Sequence, residues 1–158
     1  MTAVTFRAWA LTFVCLYGAS AACANESLYA RLGGASGVGM IADTLIDRVA
    51  ADPVMGPSFK DSKLDRIKQL LAEQICDLSG GPCRYSGDSM KEVHAGHHIS
   101  EAQFYRMVDT LRGILRERSV DQRATNELLR LLAPMKRDVV ERDPGRAPLA
   151  RSAPAASP

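Results

Sequence analysis

Aromatic residues are scarce in this 158-residue chain. One tryptophan, four tyrosines and four phenylalanines are too few for large rings to fill its core by themselves. An excess of either charge is lacking too. Lysine and arginine total 20 against 18 acids, a formal +2, and that balance gives no electrostatic footprint for nucleic acid or an anionic membrane surface. No apolar run reaches the roughly 20 residues that a membrane-spanning helix needs. Strand-type alternation is absent along the whole chain, which excludes a sheet protein. What is present, 46% hydrophobic and 24% charged residues, is the make-up of one ordinary globular domain with a modest core.

Residues 1–24 read as a secretory signal. A weakly basic start ends at Arg7, an apolar stretch runs from Ala8 to Tyr17, and small residues follow with A-x-A at Ala19-Ser20-Ala21 and Ala22-Cys23-Ala24. The protein is therefore expected outside the cytoplasm, periplasmic or secreted, with no membrane contact after cleavage. A lipid-anchored form at Cys23 is disfavoured, because Ser20 stands where a lipidation signal carries a large aliphatic residue. The segment holds one base and no acid, so nineteen bases then face eighteen acids. Cys15 lies within the signal and Cys23 at its edge, leaving Cys76 and Cys83 in an oxidising compartment. Their six-residue separation favours a disulfide; two buried thiols are the alternative if the loop geometry refuses the bond. The spacing does not suit a zinc knuckle, and no C-x-x-C-H occurs.

Past the signal, the apolar spacing is helical. Ser27 can cap a short helix over Leu28 to Leu32, stopped by Gly33-Gly34. Val38, Ile41, Leu45 and Val49, with Ile46 beside them, make the next face, which ends before Asp52-Pro53. Leu64, Ile67, Leu71, Ile75 and Leu78 line a third helix that breaks at Gly80-Gly81. Ser100-Glu101-Ala102-Gln103 is a capping box, with Ile99 and Phe104 placed for the staple around it. It starts a helix whose buried face is Phe104, Met107, Val108, Leu111, Ile114 and Leu115. Ser119-Val120-Asp121-Gln122 repeats the signal ahead of a last helix lined by Leu128, Leu131, Leu132, Met135 and Val139. Residues 25–142 thus form one all-α domain of about five helices, and 143–158, rich in Pro and Ala, read as a disordered tail.

His94 sits in the loosest stretch, between the third helix and the capping box. Poorly periodic segments often carry functional groups, since the fold does not spend that backbone on packing. An imidazole there either ligates a metal or haem iron, or packs under the loop with one hydrogen bond. His94, His97 and His98 fall at i, i+3 and i+4 and on one helix face would suit Zn or Cu. Gly96 interrupts that turn and the Ser100 box follows at once, so His97 and His98 read as solvated.

The run Ser27-Leu28-Tyr29-Ala30-Arg31-Leu32-Gly33-Gly34, the Asp52-Pro53 to Phe59 connector, Gly80-Gly81-Pro82, Tyr85-Ser86-Gly87, Met90-Lys91, Val93-His94-Ala95-Gly96 and Ile99-Ser100, in this order and at these separations, resembles the truncated haemoglobins of the first group. The resemblance implies a two-over-two helical sandwich around one haem b, with His94 as proximal iron ligand, Phe59 against the haem face and Met90 among its contacts. Many relatives place a tyrosine near the end of the second helix and a glutamine on the third. Ungapped comparison puts Ile46 and Leu71 at those positions, with Ile67 between them, and Leu70 where some relatives carry an internal ligand. The implied distal side is wholly apolar. Lys68 and Tyr85 are candidates for the haem propionates, as a cation and a phenol near the rim.

The function so implied is reversible binding of a diatomic gas, O2, CO or NO. An enzymatic alternative, nitric oxide dioxygenation or a peroxidase-like reaction, needs a reductase that the sequence does not name. A third reading is a disulfide-stapled helical module that binds a metal or a partner without haem. Ile46, Ile67 and Leu71 are expected to be buried on any of these readings.

Overall fold

Each helix starts and stops where local chemistry requires, and the computed structural model describes this for residues 26–141. The secretory-signal and tail readings fall outside the described residues. Ser27 accepts a hydrogen bond from the Ala30 N–H and caps α1 (Leu28–Arg31). Gly33 and Gly34, at φ 92° and 61°, turn the chain into α2 (Gly34–Ala51). A Cβ on Gly37 would lie 2.0 Å from the Leu32 carbonyl oxygen, so only glycine lets α1 and α2 approach this closely. Asp52 ends α2 and hydrogen-bonds the backbone of Val54 and Met55, leading into a 3-10 turn at Gly56–Phe59. Then follow α3 (Leu64–Leu78), α4 (Met90–His94), α5 (Glu101–Glu117), α6 (Gln122–Leu132), a 3-10 turn at Ala133–Met135 and α7 (Lys136–Val139). The described residues contain no strand.

The core lies where α2, α3, α5 and α6 meet. Ile41, Ile75, Leu115 and Leu128 are fully enclosed there, joined by Leu32 and Ile114. α2 packs chiefly on α3 and α5, which makes it the central element. Arg31 clamps α1 to α6 through Asp121 at 2.9 Å and Glu127 at 3.1 Å. Arg48 joins α2 to α5 through Glu117 at 2.6 Å. The structure links Cys76, in the last turn of α3, to Cys83 in the following loop, with Cα atoms 5.7 Å apart.

Three local expectations change. The stretch around His94 is a helix, α4, opened by a reciprocal capping box between Ser89 and Glu92. The α6 cap is Asp121, whose side chain accepts from the Ala124 N–H, while Ser119 takes φ 56° in the turn after α5. The last predicted helix is three pieces, because Pro134 cannot continue an α-helical ladder. No helix of the described residues is long and apolar enough to cross a membrane.

Candidate functional site

On α3, Ile67, Leu71 and Gln74 follow at steps of four and three and therefore share one strip of the helix. The strip faces a cavity of about 580 Å3, within the range of small-molecule and cofactor sites. Leu45 and Ile46 of α2, Phe59 of the 3-10 turn, Met107 and Val108 of α5, Leu132 at the end of α6 and Met135 in the turn after it add further walls. Leu70 lines it as well. Ile46 is buried as expected, but Ile67 and Leu71 are only half-buried, because they border this space instead of packing on one another.

His94 ends α4 and lines the same cavity. Its Nδ1 lies 2.8 Å from the Met90 carbonyl oxygen, one turn back on its own helix. A carbonyl only accepts, so Nδ1 is the donor here, which leaves Nε2 as the nitrogen that would carry the lone pair whenever the ring binds a metal as a neutral ligand. The bond orients the imidazole with Nε2 free of its own helix, the arrangement by which an outer-shell partner positions a metal-binding histidine. Met90 also lines the cavity, and its sulfur accepts from the Gln74 amide at 3.4 Å. His97 borders the cavity and is exposed; His98 contacts Glu141 at 2.9 Å. No group of three or more His, Cys, Asp or Glu residues among those described is placed to hold a metal ion.

The two residues read as propionate partners separate here. Tyr85 lines the cavity and donates its hydroxyl to the Asp88 carbonyl at 2.9 Å. Burial pushes its pKa up, so the phenol stays protonated. The structure does not bring Lys68 to the cavity: its ammonium is bound to Asp47 at 2.6 Å, tying α3 to α2. The cations that do border the cavity are Lys136 and Arg112. Lys136 is hydrogen-bonded to Glu101 and to the Tyr105 hydroxyl, and stands 4.4 Å from the Tyr105 ring centre. The Glu101 bond raises its pKa further, so it is always charged. Arg112 lies 3.6 Å from Asp109, too far for a hydrogen bond, and keeps its donors.

Sequence reasoning passed over Gln74, Met135, Lys136 and Arg112. Gln74 is 9% exposed and offers its N–H groups only to the thioethers of Met90 and Met135. The signal for it was present, since it continues the Ile67–Leu71 strip. Arg112 likewise follows Val108 by four residues. Met135 was read only as part of the last helix's apolar face, and Lys136 carried no such signal, because Pro134 resets the helical phase just ahead of it.

The family model described as bacterial-like globin matches residues 27–141. The chain is 28% identical over 120 residues to a group 1 truncated hemoglobin of Mycolicibacterium paratuberculosis, covering 76% of this chain and 88% of that protein. It is 24% identical over 115 residues to a group 1 truncated hemoglobin of Tetrahymena pyriformis, covering 73% and 95%. Among solved structures, the Fe(III) form of the Tetrahymena pyriformis protein superposes with a TM-score of 0.70 at 24% identity, over 74% of this chain and 100% of that one. A 2/2 hemoglobin from a Synechococcus species, in the cyanomet state with covalently attached heme, gives 0.68 at 25% identity, over 74% and 100%.

Proposed function

The chain belongs to the bacterial-like globin family, as a truncated globin of the first group with the two-over-two helical fold, and from that premise we propose that it binds one haem b and, through it, a diatomic gas reversibly. The observation that carries this reading is the His94 imidazole, oriented by Met90, at the wall of an apolar cavity. The residues present suit the group: one nitrogen base, aliphatic and thioether walls, and Lys136, Arg112 and Tyr85 as polar neighbours for carboxylates. Haem b, held without covalent attachment, is favoured because no C-x-x-C-H occurs and both cysteines of the globin domain are joined to each other.

When bound, the haem supplies an iron with a coordination position for the gas. His94 would hold the iron from one side. Ile46, Ile67, Leu70 and Leu71 exclude water and offer no hydrogen-bond donor, which favours ligands that depend little on one. Phe59 and Met90 would pack on the haem. This reading makes the protein a gas binder before a dioxygenase, since Ile67 and Leu71 offer oxygen no donor and the N–H groups of Gln74, on the same strip, are directed to the Met90 and Met135 thioethers. The secretory signal and the Cys76–Cys83 bond together support a location outside the cytoplasm.

Titrating the haem-free domain with hemin and following the Soret band tests the reading. A single saturable step at one hemin per chain is expected. A non-saturating or non-specific titration would leave the helical module without haem as the better account.

A further inference from the structure

The helix that carries His94 has no buried residue and is five residues long. Such a helix is not stable alone. Its Val93 side chain is exposed, and its main packing partner, α7, has four residues. Core packing therefore does not decide where His94 stands. The tethers on either side of α4 do.

On the N-terminal side, the loop between α3 and α4 is tied to α3 at successive residues. Cys83 is joined to Cys76. The Tyr85 N–H donates to Asp77 at 3.2 Å, and Arg84 lies 4.0 Å from the same carboxylate. The Ser86 N–H and hydroxyl both donate to Glu73, at 3.1 and 2.6 Å. Glu73, Cys76 and Asp77 fall at i, i+3 and i+4 on one face of α3, beside the strip that looks into the cavity. Three residues after Ser86, Ser89 caps α4. On the C-terminal side, Glu141 accepts from the Gly96 N–H, contacts His98, and donates its own N–H to the Ile99 carbonyl.

We propose that the loop from Cys83 to Ser86 is a strap that positions the iron-binding histidine, with Glu73 and the Cys76–Cys83 disulfide as its positioning residues. The strap transmits the placement of the α3 wall to His94 on α4 and makes haem retention depend on the intact Cys76–Cys83 bond. The inference rests on the haem reading only for its functional consequence; the positioning itself belongs to the protein without haem.

The test uses the mature chain as oxidised wild type, Cys83→Ala, Glu73→Ala and Glu73→Gln. Hydrogen exchange is followed in the haem-free protein, and hemin loss to an apomyoglobin scavenger in the loaded one. Glu73→Ala, which removes the acceptor of both Ser86 bonds, should speed exchange at residues 90–98 by about tenfold or more, the factor that a lost charge-assisted hydrogen bond gives, and Cys83→Ala, which opens the disulfide, should speed exchange in the same segment. Exchange in α5 and α6 should stay unchanged, and hemin loss should accelerate by a similar factor. Glu73→Gln keeps a neutral acceptor for the Ser86 donors and should fall between wild type and Glu73→Ala. If Cys83→Ala fails to fold, Glu73→Ala decides alone, because Glu73 lies outside the core. Wild-type exchange at 90–98 in Glu73→Ala, or equal acceleration across every helix, overturns the strap. A wild type that takes up no hemin refutes the haem reading instead, and the exchange data still judge the strap.

Discussion

Two side chains, His94 and Gln74, carry opposite lessons about buried polar groups. The His94 Nδ1–H has a strong acceptor at 2.8 Å in the Met90 carbonyl, so its orientation is fixed at little cost. The Gln74 N–H groups have only two thioethers, weak acceptors that return little of the cost of burying an amide. Gln74→Leu should therefore change the unfolding free energy of the haem-free protein by less than about 1 kcal/mol, since an apolar group of similar shape removes the unmet demand. Urea denaturation measures this. The distal wall gives the second prediction at this scale. Ile46→Tyr would add a donor where Ile46, Ile67 and Leu71 offer only methyl groups. Oxygen release, measured by stopped flow, should then slow by about ten- to a hundredfold, the worth of 1.5 to 3 kcal/mol of hydrogen bonding. Ile46, Leu71, Phe59 and His94, named from the resemblance, all line the cavity. Lys68 was misplaced because a lysine on an amphipathic helix reads the same whether it faces a cavity or a neighbouring Asp47.

Elements with sustained periodicity were read to within a residue or so: α3 spans Leu64–Leu78, from its first predicted apolar residue to its last. α4 was not read as a helix, because five residues contain too little period to see. Its signal was chemical: Ser89-Met90-Lys91-Glu92 is a capping box, and the two side chains cap reciprocally. Ser119-Val120-Asp121-Gln122 contains two candidate caps, and sequence alone does not choose between them. Asp121 wins because it also meets Arg31 of α1. The capping box on α5 provides a test at this scale. Ser100 accepts from the Gln103 N–H at 3.2 Å while Gln103 returns to the Ser100 backbone at 2.9 Å. Ser100→Ala should cost about 1 kcal/mol, seen as a lower thermal midpoint with the hemin stoichiometry unchanged.

Across the whole molecule, ion pairs between helices tie acid stability to the fold. The Arg48 guanidinium bound to Glu117 and the Arg31 guanidinium bound to Asp121 hold both carboxyls below their ordinary values of 4.5 and 3.8. A carboxyl whose pKa is lower in the folded state binds protons more readily when unfolded, so its contribution is fully present above the ordinary value and is lost as pH falls through the folded one. The thermal midpoint of the haem-free protein should accordingly be flat from neutrality down to about pH 5 and fall below it. A midpoint that instead rose on acidification would contradict these pairings. Haem should act on the same equilibrium from the other direction. A ligand that binds only the folded state stabilises it by about 2.7 kcal/mol at a hundredfold excess over its dissociation constant, so the midpoint should climb with free hemin. The fold class was legible at this scale because helical spacing runs through the entire domain. The cavity was not, because the same apolar strip serves a core or a pocket wall, and only the placement of α4, α5 and α7 around it distinguishes them.

Whether His94 is the base that would hold a haem iron in this cavity is decided by the ferrous absorption spectrum of His94→Gly, recorded with and without free imidazole. The variant should lose the nitrogen-ligated ferrous spectrum of the wild type and regain it when imidazole fills the space the side chain left. A wild-type spectrum in His94→Gly without imidazole would contradict that role.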